Sequence, residues 1–113
     1  MARSRSQLTA TIPNTGTDSD AKTVPTNATL LGIHIPASMT GTSLTFKVQA
    51  SASDTAKPLK KSDNTAYSIT IGATAAYHPV DSSLFEGVQF VTIVSGSAET
   101  GAKELTLEFG QTS

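Results

Sequence analysis

The chain has 113 residues, only 15% of them are charged, and the formal net charge is −1. This length is typical of one domain with one modest core. A charge balance so near zero gives no field to attract nucleic acid or an anionic membrane surface. The absence of cysteine excludes disulfides, thiolate zinc sites and cysteine nucleophiles. The first residues lack the apolar core of a signal peptide, and no apolar run is long enough to cross a bilayer, so neither is expected.

Residues 1–12 are predicted to form an N-terminal arm followed by the first strand. Arg3 and Arg5 make the arm basic, so it either frays or reaches a neighbouring subunit or an acidic partner surface. The residues that follow alternate between polar and apolar up to Ile12, which predicts a strand. Residues 13–113 are predicted to form a single β-sandwich domain.

Residues 13–20, PNTGTDSD, are rich in the residue types that form turns. Asp18 and Asp20 supply too few oxygen ligands for a calcium loop, so we expect no metal there. Residues 21–24 are expected to form a short edge strand. Pro25 ends it, because proline cannot donate a hydrogen bond to a central ladder.

Two segments, residues 29–35 and 88–94, are apolar on both faces of the expected strand. Such a strand lies in the centre of a sheet or is covered by a neighbouring subunit. We therefore expect the outer sides of these segments, together with the arm, to contact other subunits. The candidate interface residues are Leu30, Ile33, His34, Val91 and Ile93, with Arg3, Arg5 and Leu8 from the arm.

The clearest strand of the chain is Ser43–Ala50, in which every second residue is apolar. Leu44 and Phe46 are predicted core residues on its apolar face. A turn built on Pro36 and Gly41 connects this strand to the preceding one. The two strands and their turn are the centre of the predicted fold.

The second half of the chain continues the pattern of short strands and turns. A hairpin is predicted over Leu59–Tyr67, and a short helical turn near residues 80–86, capped by Asp81 and ended by Gly87. Lys103–Phe109 closes the fold. With seven or eight short strands and no alternation of strands with helices, we predict an all-β, jelly-roll-like antiparallel β-sandwich.

Catalytic and ligand-binding equipment is sparse. His34 and His78 are the only histidines, too few for a zinc site without carboxylate help, and no G-x-S-x-G nucleophile motif occurs. We therefore predict that the chain is not an enzyme and uses no metal, cofactor or small-molecule substrate. Sugar binding is an alternative, although Tyr67 and Tyr77 are the only candidate stacking platforms besides phenylalanine.

Four segments of the chain together carry a resemblance: LGIHIPASMTGTSLTFKVQAS, a Lys-Pro-Leu hairpin with SDNTAYSI, HPVDSSLFEGVQFVTIVSGSAET, and LTLEF. They resemble small structural proteins of tailed-bacteriophage virions, in which a GI.IPA.MTGT.LTF segment precedes a DP.DF.G…I.I.SG segment. The resemblance covers about Thr29–Phe109. The matching positions are Pro36 and Gly41 in the turn, Leu44 and Phe46 in the strand, Asp81 and Phe85 in the helical turn, and Ser95–Ser97 in the last loop. Val80 departs from the family pattern, and the N-terminal third matches little of it.

The resemblance implies a virion component made in the host cytoplasm. The first expectation is a capsid decoration (cement) protein on the head exterior, associated with itself as a homotrimer and bridging subunits of the major capsid protein. A neck, tail or fibre-attachment accessory protein is the alternative within the virion. A carbohydrate-binding module acting at the host surface is the alternative from another class. No membrane or nucleic-acid partner is expected.

Overall fold

The structure, a computed structural model, describes residues 5–111 of the chain, with side chains from residue 6 to residue 110. Within that range the chain forms nine strands and one 3-10 turn. The strands are β1 (Arg5–Ile12), β2 (Lys22–Thr23), β3 (Ala28–Ile35), β4 (Ser43–Gln49), β5 (Lys57–Pro58), β6 (Ser68–Thr70), β7 (Ala76–Pro79), β8 (Phe90–Ser95) and β9 (Lys103–Gln111), and the 3-10 turn is Ser82–Phe85.

The strands form two antiparallel sheets that pack face to face. The first sheet has the order β1-β9-β3-β7, and the second has the order β2-β8-β4, with β5 and β6 both pairing with the far edge of β4. Apart from β5 and β6, successive strands alternate between the two sheets, which is the strand order of a jelly roll. The predicted all-β, jelly-roll-like antiparallel sandwich is therefore confirmed.

One strand position of the jelly roll is split, so nine strands are found where seven or eight were predicted. The chain runs along β4 as far as Leu59, whose N–H donates to the Phe46 carbonyl oxygen at 2.8 Å. It then leaves the sheet in the predicted hairpin, closed by a 3.1 Å bond from the Tyr67 N–H to the Leu59 carbonyl oxygen. The chain returns to β4 as β6. The hairpin thus divides what would otherwise be one edge strand.

The core lies between the sheets and includes both core residues predicted in the clearest strand, Leu44 and Phe46. At one end of the core, the rings of Phe46, Tyr67 and Phe85 form a cluster with centroid separations of 5.1 to 6.1 Å. Edge-to-face and offset arrangements at these distances are favourable for aromatic rings. The 3-10 turn therefore serves to place Phe85 against β4.

The 3-10 turn begins and ends as predicted. The Asp81 carboxylate accepts hydrogen bonds from the Ser83 N–H at 3.2 Å and from the Ser83 hydroxyl at 2.6 Å. Such a cap satisfies an N–H that the turn itself leaves unpaired. Gly87 follows the turn with φ of 81°, in the left-handed region where glycine is favoured.

A β-bulge in β3 explains why this strand is apolar on both faces. The register against β9 shifts between Leu30 and Gly32, so Leu31 is an extra residue in the ladder. The shift brings Leu30 onto the same side as Ile33 and Ile35, and all three are buried in the core. On the opposite side of the strand, Leu31 remains partly exposed.

The first strand is part of the sandwich. β1 pairs with β9 along its whole length, from Arg5 opposite Gly110 to Ile12 opposite Lys103. Residues 5–12 therefore form one edge of the first sheet, and the part of the predicted arm that includes Arg3 lies outside the described residues.

Candidate functional site

The predicted interface residues fall into four groups. Leu30, Ile33, Val91 and Ile93 belong to the core, each with at most 1% of its surface exposed, so this fold leaves their side chains no surface for a partner. Leu8 is half-buried and packs against that core. Arg3 and the Arg5 side chain lie outside the described part of the chain. His34 is exposed, and it is the residue around which a surface site can be built.

His34 belongs to a shallow cavity of about 250 Å³ on the outer face of the first sheet. The cavity is lined by Leu31, His34, Tyr77 and Glu108, and we call these four residues the outer-face patch. Tyr77 is 45% exposed, more than any other large hydrophobic side chain among the described residues. An exposed aromatic ring beside a carboxylate and an imidazole is suited to recognition.

The sheet register brings the patch together. His34 on β3 faces Tyr77 on β7, and their ring centroids are 4.7 Å apart. The Tyr77 ring lies over Gly32, where a Cβ atom would come within 2.1 Å of the phenol oxygen. Leu31 similarly lies over Gly110, where a Cβ atom would come within 2.5 Å of the leucine side chain. Two glycines therefore let the larger side chains lie close against the sheet.

Glu108 supplies the charge of the patch. Its carboxylate accepts a hydrogen bond from the side-chain amide of Gln7 and lies 3.0 Å from Nε2 of His34. The Glu108 side chain is 12% exposed and that of His34 is 48% exposed, so the carboxylate lies beneath the imidazole. A partner could stack on the rings while donating hydrogen bonds to this carboxylate.

The rings, the imidazole and the carboxylate of the patch offer stacking and hydrogen-bonding contacts. Residues 5–111 contain no group of three or more His, Cys, Asp or Glu side chains that could hold a metal ion. A second, larger groove of about 480 Å³ runs between residues 23–28 and 87–90. No ionisable side chain lines it, and a 2.8 Å bond from the Val24 N–H to the Gln89 carbonyl oxygen ties its two walls together. The outer-face patch is therefore the better candidate site.

A buried carboxylate at one end of the sandwich was missed by sequence reasoning. Glu99, in the loop between β8 and β9, is 1% exposed. It accepts hydrogen bonds from the Thr40 N–H at 2.8 Å, the Gly41 N–H at 2.9 Å and the Ser95 hydroxyl at 2.7 Å. We call these four residues the Glu99 clamp. The clamp ties the loop before β4 to the loop after β8.

The hydrogen bonds of the clamp keep Glu99 ionised. Burial alone would raise the pKa of Glu99, but donation from Thr40, Ser95 and Gly41, together with the positive charge of Lys103, outweighs it and leaves the pKa below its ordinary value. A carboxylate satisfied in this way stabilises the fold and is closed to ligands. The clamp is therefore structural.

The two tyrosines named as possible sugar platforms have different environments. Tyr67 is half-buried, stacks on Phe46 at 5.7 Å, and accepts a 2.9 Å hydrogen bond on its hydroxyl from the Asp81 N–H. Its ring is part of the core cluster. Tyr77 alone of the two presents an exposed ring, so any stacking on a tyrosine would take place at the outer-face patch.

The sequence pattern indicates which side of its strand each patch residue occupies, but it does not show that these residues meet. Alternation in LTLEF places Glu108 on the side opposite the core, and the strand containing His34 was already an interface candidate. The pairing of β3 with both β7 and β9 brings Tyr77 and Glu108 to His34, and that pairing joins segments 43 and 74 residues away in the chain.

Comparisons with protein-family models, curated proteins and solved structures give no match to this chain. Over residues 5–111, no helix is long and apolar enough to cross a membrane.

Proposed function

We propose that the chain is a non-enzymatic structural protein of a tailed-phage virion. Its most specific assignment is a capsid decoration protein on the head exterior, where the outer-face patch contacts the major capsid protein. The observation that carries the proposal is the exposed Tyr77 ring, held over Gly32 beside His34. Aromatic side chains in fixed positions are the residues that dominate binding energy at protein interfaces.

The packing of the resembling segments supports treating them as one unit. The Gly41 N–H donates to Glu99, and the Gly96 N–H donates to the Ser43 carbonyl oxygen at 2.9 Å. The MTGT and SGSAET segments of the resemblance therefore meet in space. Jelly rolls occur in viral capsid and lectin domains, so the fold agrees with a virion role and with sugar binding, and the choice between them depends on the site.

The proposed mechanism is mechanical. Copies of the chain associate, with a trimer as the proposed state, and each copy contacts a capsid subunit through its outer-face patch. Several weak contacts made at once give an avidity far above that of one contact. Because the protein binds only the assembled shell, its binding free energy adds to the stability of that shell.

Attachment to heads assembled without this protein tests the proposal. Tyr77→Ala and His34→Ala should weaken attachment at least about tenfold, because they remove the rings of the patch. Thr70→Ala, an exposed change on β6 of the second sheet, is the matched control and should attach as the wild type does. Wild-type attachment by both patch variants would contradict the proposal.

Copy number separates the two virion roles. Hundreds of copies in each purified particle would support decoration of the head, and about a dozen or fewer would support the neck, tail or fibre-attachment role. The same count on particles carrying Tyr77→Ala shows whether the patch is needed in either position.

Sugar binding remains the second candidate, because an exposed ring beside a carboxylate can stack on a sugar and accept its hydroxyl hydrogen bonds. Titration with the host surface polysaccharide tests it. Saturable binding that Tyr77→Ala abolishes and Thr70→Ala retains would replace the decoration proposal. If titration gives neither a heat of binding nor a chemical-shift change, the sugar hypothesis is wrong.

A further inference from the structure

The edge strands of the two sheets differ in how far they are protected from pairing with another strand. β7 has four residues and ends in Pro79, and β5 consists of Lys57 and Pro58. β2 and β6 have two and three residues. β1 has eight residues and contains neither proline nor lysine. Short length, proline and charged side chains, lysine above all, stop edge strands from adding a further strand, and of these β1 has only the charge of Arg5 at its first residue.

The hydrogen bonds around Thr11 show which groups of β1 face outward. The Thr11 N–H donates to the Asp20 carboxylate at 2.9 Å, and the Asp20 N–H donates to the Thr11 carbonyl oxygen at 3.2 Å. Thr11 therefore turns its backbone away from β9. Because this direction alternates along a strand, Arg5, Gln7 and Thr9 turn their N–H and C=O groups the same way. Within residues 5–111, no strand pairs with β1 on that side.

We propose that this edge binds a second copy of the chain. The two β1 strands pair antiparallel across a two-fold axis at Gln7, so that the first sheets of the two copies become one continuous sheet. Gln7 then faces Gln7 of the second copy, and Arg5 faces its Thr9. Each facing pair exchanges two backbone hydrogen bonds, and every free outward residue of the described edge has a partner.

Charge and the Asp20 contact select this register. A shift of one strand by two residues in one direction places Thr9 opposite residue 3, outside the described edge, and a shift by four residues places Arg5 opposite Arg5 of the second copy. A shift in the other direction requires Thr11, whose backbone is already bonded to Asp20. In the proposed register, Arg5 is opposite a neutral residue, and like charges do not face one another across the axis. The edge is therefore complementary to itself.

The inference does not rest on the proposed contact with the capsid protein, but it competes with the proposed trimer. A two-fold pair has the mass of two chains, and a species of three chains in its place would overturn the pairing. A patch that binds no capsid protein would leave the β1 edge unaffected.

Cross-linking tests the register directly, because the chain has no cysteine of its own. Cα atoms of a hydrogen-bonded antiparallel pair lie about 5.5 Å apart, within the range that a disulfide spans. Under a mild oxidant, Gln7→Cys should form a disulfide-linked dimer at least about tenfold faster than Thr70→Cys on an exposed strand of the other sheet. Equal rates for the two variants would overturn the proposal.

Sedimentation and amide hydrogen exchange of the cysteine-free chain provide the second measurement. The wild type should show a two-chain species as its concentration rises, with slower exchange at the Gln7 and Thr9 amides. Thr9→Lys keeps its N–H but faces Arg5 of the second copy, so it should weaken pairing at least about tenfold, with an unchanged melting temperature at dilutions where both chains are monomeric. A chain that stays monomeric up to its solubility limit, or amides protected only when phage heads are added, would overturn self-pairing.

Discussion

The Glu99 clamp and the outer-face patch each contain one carboxylate, and the two are used differently. Glu99 is sealed from solvent and bonded to two backbone N–H groups and a hydroxyl. Glu108 is bonded to the side chains of Gln7 and His34, and His34 is half exposed. Backbone donors are held in place by the fold, whereas these side-chain donors can turn toward a partner. We therefore expect Glu99 to serve stability, and we propose that Glu108 serves contact.

The largest expected effect is the loss of the clamp carboxylate. Glu99→Ala leaves the Thr40 and Gly41 N–H groups without their acceptor. It should lower the free energy of unfolding by about 3–6 kcal/mol, since at least two hydrogen bonds to a charged group are lost at about 1.5–3 kcal/mol each. Glu108→Ala should cost no more than about 1 kcal/mol, because its donors can turn to water. Urea unfolding of both variants measures the difference, and equal losses would contradict the assignment.

The next largest difference in the free energy of unfolding is expected between alanine substitutions at Gly41 and Gly32. An alanine Cβ at Gly41 would lie 2.1 Å from the Ser95 hydroxyl, which is buried and already bonded to Glu99. Gly41→Ala should therefore cost about 1–3 kcal/mol, as overpacked cores do. A Cβ at Gly32 would come equally close to the Tyr77 hydroxyl, but that ring is exposed and can swing outward.

Thermal unfolding and head attachment separate the two glycine variants. Gly41→Ala should lower the melting temperature and leave attachment by the folded fraction unchanged. Gly32→Ala should keep most of the stability, within about 1 kcal/mol, and lose attachment, because the Tyr77 ring is displaced. A Gly32→Ala variant that attaches normally would show that the position of the ring is unimportant for binding.

The pH dependence of stability should also identify the clamp. The pKa of Glu99 in the folded chain lies below its ordinary value of 4.5, so the carboxylate stabilises the fold fully above that value. This contribution is lost as pH falls from about 4.5 through the lower folded pKa. The pKa values of Asp18 and Asp20 are lowered as well, so the wild-type profile contains their contributions.

Glu99→Gln isolates the contribution of the clamp to this profile. The glutamine amide has one acceptor oxygen where the carboxylate has two. Its NH₂ group therefore faces one of the groups that donate to Glu99 in the wild type. The difference between wild type and variant in the free energy of unfolding should be largest near neutral pH and shrink below about pH 4.5. Urea titrations at a series of pH values measure it, and a constant difference down to about pH 3 would contradict the pKa argument.

Strands with regular alternation were predicted well from the sequence, because alternation is a local property. Ser43–Ala50 corresponds to β4 (Ser43–Gln49), and Lys103–Phe109 to β9 (Lys103–Gln111). The predicted helical turn is found at Ser82–Phe85 because its cap and its terminating glycine are both local signals.

The segments that are apolar on both faces were harder to interpret. In β3 the bulge at Leu31 brings Leu30 to the core side with Ile33 and Ile35 and leaves Leu31 on the outer face, and a bulge depends on the partner strand. In β8, Asp18 pairs with Val94 on one side and Lys47 with Thr92 on the other. The 2.7 Å ion pair between Asp18 and Lys47 therefore crosses the outer side of β8. The chain itself covers a surface that the sequence pattern left for a neighbour.

The smallest expected effect compares the hydroxyl groups of the two tyrosines. Tyr67→Phe removes the acceptor of the Asp81 N–H and should cost about 0.5–1.5 kcal/mol. Tyr77→Phe should leave stability unchanged, because within residues 5–111 no hydrogen bond of its hydroxyl is found. Chemical denaturation of both variants tests this order.

A comparison of Tyr77→Phe with Tyr77→Ala tests which part of the Tyr77 side chain makes the contact. If the Tyr77 ring provides the contact, Tyr77→Phe should attach to heads as the wild type does, while Tyr77→Ala does not. If the hydroxyl provides it, the two substitutions should weaken attachment equally. That second result would make the patch a hydrogen-bonding site, and the contrast with the Glu99 clamp would then rest on exposure alone.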